Sequence, residues 1–229
     1  MYDTLLELPL FRGVSRQRIS EVIGTSRFDF LKYLKGNRII EVGQQCHNLT
    51  FILSGTVRVT LTNASGRMRI SQTLTGPDVI MPQFLFGRET VYPCSVDALD
   101  TCSIMQVSKT DWLRILTQDQ VFMLNYLNIL GAFAQNSVQG VLASSIGNVG
   151  ERLAVWIVCL TQASAKDIVI TCKQRDLYGL LGVQRSSFVA VLQDMADHGI
   201  ITYSTNKINV LDRRAMLDIV TGANLATEQ

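Results

Sequence analysis

A group of polar residues interrupts a segment whose apolar residues recur at helical intervals, GVQRSSFVAVLQDMADHGI. The members of this polar group are Gln184, Arg185, Ser186 and Ser187. Arginine, glutamine and serine are residue types that hydrogen bond to the edges of bases and to phosphate oxygens. A helix that only filled a core would not place them together. The segment therefore predicts a helix that presents a polar surface at its start.

The flanking elements predict how the polar group is presented. The apolar face of the helix consists of Phe188, Val191, Leu192 and Met195, and its outward face of Gln184, Arg185, Ser187 and Ala190. A shorter helix and a glycine turn precede it, KQRDLYGLLG, with an apolar side made by Leu177, Leu180, Leu181 and Val183. Two short alternating strands follow around a polar turn, IITYSTNKINVLD. Two helices, a tight turn and a β-hairpin are the pattern of a winged helix-turn-helix.

Further polar and cationic residues flank this motif. Lys173, Gln174 and Arg175 begin the first helix, and Lys207 lies at the tip of the hairpin, so these side chains are candidates for phosphate contacts. Arg185 is our candidate for bidentate recognition of a guanine. The alternative for Arg185 is a phosphate contact or a surface ion pair. The arrangement as a whole indicates double-stranded DNA as a partner.

A long helix is predicted over KTDWLRILTQDQVFMLNYLNILGAFAQNSVQGVLASS, with Thr110 or Asp111 as its N-cap. Apolar and small residues recur in it at steps of three and four, as at the a and d positions of a coiled coil. This seam consists of Leu124, Leu127, Gly131, Ala134, Val138, Val141 and Ser145. A second stripe consists of Tyr126, Ile129, Leu130 and Phe133 and is expected to pack on β structure. The two stripes favour a homodimer; the alternative is one helix buried in a monomer core.

The residues before this helix divide into two zones. Residues 1–33 predict short amphipathic helices. From about Asn37 to Val107, short alternating strands are separated by glycines, and NASGR is typical of a hairpin turn. This zone predicts a small β-barrel or β-roll. After the long helix, Gly147 and Gly150 predict a hinge.

Composition limits the function classes. The 229 residues are 47% hydrophobic and 17% charged, which is typical of a folded protein. The net charge is +2, so any DNA contact must come from the local placement of cations. Five cysteines without a C-x-x-C pair favour reduced cytosolic thiols over a disulfide framework or a metal site.

Two further classes are disfavoured. The two histidines and the absence of a G-x-S-x-G motif leave little for acid–base or nucleophilic catalysis, so we do not expect an enzyme. The stretch Gln120 to Gly150 carries no charged residue, but the asparagines and glutamines in it would be costly in hydrocarbon. We therefore expect no membrane partner.

Three stretches together resemble the CRP/FNR family of bacterial transcription regulators over nearly the whole chain. They are PLFRGVS, YLKGNRIIEVGQQCHNLTFILSGTVRV and GVQRSSFVAVL. The resemblance implies an α+β fold with an N-terminal cyclic-nucleotide-binding-like β-roll, a long dimerisation helix and a C-terminal winged helix-turn-helix. We expect the sensor domain in residues 1–109, the dimerisation helix in 110–146 and the DNA-binding domain in 147–229. The resemblance also implies a cytoplasmic homodimer on palindromic promoter DNA, with RNA polymerase and a small-molecule effector as further partners.

The chain departs from the family in its ligand-binding motif. Members that bind cyclic nucleotides hold the ribose and phosphate with a Gly-Glu pair and an Arg-Ser/Thr pair. At these places DVIMPQFLFGRETVYPCSVDA has Met81 and Pro82, then Tyr92 and Pro93. A buried phosphate without a paired cation is costly, so cyclic AMP is not the expected ligand and the effector is unknown. In the family's DNA-reading helix, Ser186 and Ala190 replace a Glu and an Arg, which implies a different operator.

The effector pocket has a candidate position near these substitutions. Its residues are Met81, Pro82, Phe84, Tyr92, Pro93, Cys94 and Ser137, and they form either an apolar ligand pocket or a filled core. Some relatives bind haem, which here would need His47 or a Cys, Met or Tyr as its axial ligand. A haem- or gas-responsive regulator therefore stays an alternative, as does a ligand-binding module whose winged helix contacts protein instead of DNA.

Overall fold

The computed structural model describes residues 2–221, and the side chains of residues 2, 143–146 and 221 lie outside that description. It has the predicted α+β fold class. The elements in chain order are α1 (Tyr2–Glu7), a 3-10 helix (Pro9–Phe11), α2 (Arg16–Thr25), β1 (Phe28–Tyr33), β2 (Arg38–Ile40), β3 (Asn48–Ser54), β4 (Thr56–Thr62), β5 (Arg69–Thr75), β6 (Asp78–Ile80), a 3-10 helix (Pro82–Phe84), β7 (Cys94–Ala98), β8 (Cys102–Ser108), α3 (Lys109–Gln118), α4 (Gln120–Ile146), α5 (Val149–Leu160), β9 (Lys166–Thr171), α6 (Gln174–Leu180), α7 (Arg185–Asp197), β10 (Ile201–Ser204), β11 (Lys207–Val210) and α8 (Arg213–Thr221).

The chain divides into two units. One comprises Met1–Val59 and Leu74–Phe133, and the other comprises Thr60–Thr73 and Ala134–Gln229. The hairpin made by the end of β4 and most of β5 therefore belongs with the C-terminal residues. The functional boundaries expected after residues 109 and 146 stay a prediction.

The first unit contains the predicted β-roll. One sheet has the antiparallel order β1-β8-β3-β6, and β4, β7 and β2 are neighbours in a second sheet. Its core contains four fully buried aromatic rings, those of Phe11, Phe51, Trp112 and Phe122. The ring centroids of Phe11 and Phe122 are 5.0 Å apart, and those of Trp112 and Phe122 are 5.8 Å apart. The rings meet edge to face, an arrangement that adds to the stabilisation from buried apolar area.

The prediction of helices throughout residues 1–33 is wrong at its end. Residues Phe28–Tyr33 form β1, which pairs with β8 along its whole length, from Phe28 opposite Val107 to Tyr33 opposite Cys102. Aromatic residues in FDFLKY favour a strand, and the hydrogen bonds of the neighbouring strand satisfy its backbone.

The predicted long helix is divided at Asp119, and its N-cap is Ser108 instead of Thr110 or Asp111. The Ser108 Oγ atom accepts a hydrogen bond from the Asp111 backbone N–H at 3.0 Å. Asp119 adopts an extended backbone conformation, and its carboxylate accepts hydrogen bonds from Val121 N at 2.9 Å and Arg18 Nε at 2.8 Å. An aspartate that bonds to the backbone ahead of it ends one helix and starts the next.

The two apolar stripes of α4 differ in burial. Tyr126 is buried in the first unit, where its hydroxyl donates a hydrogen bond to Pro82 O at 2.8 Å. The other members of this stripe are half-buried, and their packing on β structure stays a prediction. The seam side chains, in contrast, are exposed in the single chain: Leu124 by 56%, Leu127 by 53%, Val138 by 61% and Val141 by 66%. The side chain of Ser145 lies outside the described residues. Within residues 2–221, no helix is both long and apolar enough to cross a membrane.

The second unit contains a sheet with the order β10-β11-β9-β5. Strand β5 pairs antiparallel with β9, with Ile70 opposite Ile170 and Ser71 opposite Val169. The buried Gln72 connects β5 to the end of α5: its Oε1 atom accepts a hydrogen bond from Gln162 N at 2.8 Å, and its Nε2 donates to Leu160 O at 3.5 Å. No local pattern in the sequence predicted the contact between these strands.

Candidate functional site

The helix-turn-helix is built as the sequence predicted, with one exception. Phe188 and Leu192 are fully buried and Met195 is 3% exposed, so α7 packs through its predicted apolar face. The turn between α6 and α7 contains Gly182 at φ +65°, a conformation that favours glycine. Leu180, expected on the apolar side of α6, is instead 55% exposed.

The exposure of Leu180 follows from the shape of α6. This helix has only seven residues, and Leu177 is its buried residue. A helix of two turns is packed on the unit through this one buried residue. The buried face of α6 therefore includes fewer residues than the sequence predicted.

The polar group lies in the first turn of α7 and is exposed. Gln184 is the N-cap residue, but its side chain makes no capping hydrogen bond. The first intrahelical bond runs from Phe188 N to Gln184 O at 3.0 Å. The backbone N–H groups of the first turn precede it and point out of the helix end, where the helix dipole favours an anion. The structure therefore places outward side chains and outward N–H donors together.

The start of α6 is tied to the tip of the β10–β11 hairpin. Cys172 N donates to Asn206 O at 3.0 Å, and Gln174 N donates to Thr205 O at 3.3 Å. The side-chain amide of Gln174 also donates to Ser204 O at 3.2 Å, so part of its hydrogen-bonding capacity holds the hairpin. These bonds bring three exposed cations to the same end of the unit: Lys173, Arg175 and Lys207.

The hairpin is also fixed to α7, because the Tyr203 hydroxyl donates to Gln193 Oε1 at 2.9 Å. Two of the predicted contact residues, Ser187 and Ala190, line a hollow of about 680 Å³ together with Asn148 and Met195. Both residues are exposed like the rest of the polar group, and their contact with DNA stays a prediction.

The segment after α4 carries a signal that the sequence reading missed. Asn148 Oδ1 accepts a hydrogen bond from Glu151 N at 2.9 Å, and Glu151 Oε2 accepts one from Asn148 N at 3.0 Å. This is a capping box, and the spacing Asn-x-x-Glu in NVGE indicates it. Gly150 is therefore a buried residue inside α5, and the hinge predicted there is wrong at this residue.

Arg213 anchors α8 on the end of α5. Its Nε atom donates to Thr161 Oγ1 at 3.0 Å, and its Nη2 donates to Thr161 O at 3.0 Å and to Val158 O at 3.3 Å. Burial lowers the pKa of this guanidinium below its ordinary value. The carbonyls at a helix C-terminus are the partners that a cation favours.

We expect Arg213→Met to lower the free energy of unfolding by about 2 kcal/mol, because the carbonyl oxygens at the end of α5 lose their donors. The matched control is Arg214→Met, at the exposed neighbouring arginine, with an expected change within about 0.5 kcal/mol. Urea denaturation of the two variants measures both values. Equal losses of unfolding free energy in the two variants would show that the hydrogen bonds of Arg213 do not stabilise the protein.

Much of the region proposed as an effector pocket in the first unit is buried, and its role as a pocket stays a prediction. Met81 is 4% and Tyr92 3% exposed, and Cys94 is fully buried with its Sγ atom 3.4 Å from Met81 Sδ. The Tyr92 hydroxyl donates to Asn48 O at 3.2 Å. Burial raises the pKa of Tyr92 and raises that of the Cys94 thiol to about 12, so both groups are neutral. Ser137 belongs to the second unit, where it lines a cavity.

A cyclic nucleotide does not fit this donor set. Its phosphate needs a cation or several N–H donors at the point where it is buried. The side chains at the two motif positions are instead apolar or neutral, and Arg88 and Glu89 nearby are exposed to solvent. His47, the candidate haem ligand, is also exposed.

Two family models match the chain in tandem. The cyclic nucleotide-binding domain matches residues 30–119, and the Crp-like helix-turn-helix domain matches residues 151–219. A search of curated proteins found no match. Among solved structures, the catabolite activator protein of Thermus thermophilus aligns over 93% of this chain and 99% of its own, at 19% identity and a TM-score of 0.55. DNR from Pseudomonas aeruginosa aligns over 95% and 96%, at 19% identity and a TM-score of 0.45.

The two models define the class: a cyclic-nucleotide-binding-type β-roll followed by a helix-turn-helix is the composition of a DNA-binding transcription regulator. The likeness to the Thermus thermophilus protein shows that the fold is shared along nearly the whole chain. The chain belongs to the CRP/FNR family of transcription regulators.

Proposed function

We propose that the chain acts as a homodimer that binds palindromic promoter DNA, with the polar group of α7 in contact with the bases. The observation that carries this proposal is the two-faced structure of α7. Its inner face is fixed by fully buried Phe188 and Leu192, and its N-terminal turn presents the polar group to solvent. In helix-turn-helix proteins the N-terminal residues of the second helix contact base edges in the major groove.

The roles of the remaining residues follow from their positions. Lys173, Arg175 and Lys207 flank α7 at the hairpin end and contact phosphates, which orient the helix without reading sequence. Arg185 is the first residue of α7, and its guanidinium forms two hydrogen bonds to a guanine. These local cations provide the electrostatic attraction that the net charge of +2 lacks.

Dimerisation is supported by the exposed seam of α4. Leu124, Leu127 and Val138 are each more than half exposed in the single chain, and a Cβ atom added at Gly131 would meet nothing within 4 Å. Small and apolar residues at a and d positions let two helices approach closely. A dimer places two copies of α7 about one turn of DNA apart, roughly 34 Å, as a palindromic site requires.

The effector in this proposal is a compound other than cyclic AMP. The uncharged, buried side chains of Met81 and Tyr92 support this part, because a cyclic phosphate would be buried there without a cation. An effector regulates by favouring one relative orientation of the two recognition helices.

Arg185→Ala tests base recognition. After selection of the preferred duplex from a random pool, we expect the variant to lose roughly 1–3 kcal/mol of binding free energy on that duplex and little on a scrambled one. Lys207→Ala should weaken both duplexes alike and reduce the slope of log affinity against log salt by about 1. Titrations at several salt concentrations measure both effects.

The control is Arg214→Ala, at an exposed arginine outside the predicted surface, with unchanged affinity. If Arg185→Ala weakens every duplex equally, Arg185 contacts phosphate. If the wild-type chain binds no duplex with or without a cell extract as a source of effector, the proposed function is wrong. A protein partner for α7 then takes the place of DNA.

A further inference from the structure

The second unit contains a cavity that the proposed DNA-binding surface does not use. Its volume is about 360 Å³, and its walls come from α4, α5 and the end of α6. The walls are mainly apolar: Gly140, Val141, Val155, Trp156, Leu180 and Leu181. Ligand sites have this size and character, with a few polar groups that fix orientation.

Arg152 provides the charge of this cavity. Among the described residues that line the cavity it is the one cation, and none of them is a carboxylate. Its Nη1 atom donates a hydrogen bond to Leu181 O at 3.0 Å. Its Nε atom is buried and has no hydrogen-bond partner within the described part of the chain. The cavity therefore combines apolar walls with one guanidinium group, and a charge-assisted hydrogen bond to that group favours an anion over a neutral ligand.

We infer that this cavity binds a small amphiphilic anion, a carboxylate that carries an apolar chain or ring. The carboxylate accepts the hydrogen bond of Arg152, and the apolar part lies against Val155 and Trp156. Burial of the apolar part provides most of the binding affinity, and the charge-assisted hydrogen bond makes the cavity selective for an anion over a neutral ligand.

The position of the cavity connects the ligand to the helix-turn-helix. Leu181 is the C-cap residue of α6 and directly precedes the glycine of the turn before α7. A ligand that binds the guanidinium of Arg152 competes with its hydrogen bond to Leu181 O, and this bond holds the start of the turn. This part of the inference rests on the proposed function, because it expects the ligand to change DNA affinity.

Fluorescence titration tests the site without DNA. Trp156 lines the cavity, and the other tryptophan, Trp112, is fully buried in the first unit. Trp112→Phe removes the background signal, and the wild-type chain is titrated in parallel. The probes are decanoate and decanol, which share an apolar chain and differ in charge. We expect saturable binding of decanoate, about ten-fold tighter than that of decanol.

Two arginine variants identify the anchor. Arg152→Met should lose the preference for decanoate over decanol, and Arg152→Lys should keep part of it. Arg175→Met is the matched control, because it removes an exposed cation of the same unit that does not line the cavity, and it should keep the full preference. Circular dichroism establishes that each variant is folded.

The site is wrong if the wild-type chain binds both probes equally or neither, or if folded Arg152→Met keeps the preference. A dimer in sedimentation that binds no decanoate means that a second copy covers the cavity, which also overturns the site. DNA affinity is then measured with and without decanoate. Binding of decanoate with unchanged DNA affinity keeps the site and removes its coupling, whereas failure of all DNA binding concerns only the proposed function.

Discussion

Val138→Glu is expected to convert the proposed homodimer into single chains and to lower affinity for a palindromic duplex by about 100-fold or more. Val138 is 61% exposed in the single chain, so the substitution costs little in the folding of one chain. In a paired seam the two introduced carboxylates approach each other with loss of water, and neither has a cation to pair with. Each half-site is then bound separately, and the gain from linked binding is lost. Sedimentation velocity measures the association state, and titration of the duplex measures affinity.

Gln139→Glu is the control, because it adds the same charge one residue along α4 and outside the seam. It should remain a dimer with unchanged affinity. A dimer of Val138→Glu with wild-type affinity would show that the seam is not the interface. The alternative, a monomer in which α4 is buried, would not account for the exposed apolar side chains of the seam either.

Gly55→Ala is expected to lower the free energy of unfolding of the first unit by about 3 kcal/mol or more. Gly55 joins β3 to β4 at φ +91°, where a side chain costs about 1–2 kcal/mol. A Cβ atom there would also lie 2.7 Å from Thr101 O and 2.8 Å from Cys102 Cα. Both contacts are with backbone, so the overlap adds about 1–3 kcal/mol. The turn cannot move away easily, because Asp100 Oδ1 accepts a hydrogen bond from Thr56 N at 2.9 Å.

Gly36→Ala, in the same unit, separates the two causes. Gly36 has φ +86°, but an added Cβ atom would meet nothing within 4 Å, so only the backbone cost of about 1–2 kcal/mol remains. Urea denaturation followed by circular dichroism measures both variants. Similar losses for the two would mean that the close approach at Gly55 contributes nothing, and the account of this turn would be wrong.

The winged helix-turn-helix was predictable because its signals are local. The helical spacing of Phe188, Leu192 and Met195 correctly predicted the buried face of α7, and the glycine turn before it was also predicted. The exposure of the polar group followed, since residues that do not share the apolar face must point away from the core. The capping box of Asn148 and Glu151 was equally local, but its spacing was not used.

Other features required contacts between distant parts of the chain. The helix break at Asp119 is fixed partly by Arg18, which lies about a hundred residues earlier. Strand β1 exists because β8 lies beside it, and a short segment with mixed exposure has no periodicity to reveal that neighbour. The cavity at Arg152 forms only when α4, α5 and α6 are packed together, so no sequence motif predicts it.

The sequence by itself determined the order of the β zone, the long helix and the helix-turn-helix, the family and the polar group that α7 presents, because periodicity and turn residues act over a few neighbouring positions. Only the tertiary structure decided that Met81 and Tyr92 are buried, that β5 pairs with β9 and that Arg152 lines an apolar cavity. These depend on which surfaces meet. Packing and desolvation are properties of such contacts between distant residues, and a local pattern does not contain them.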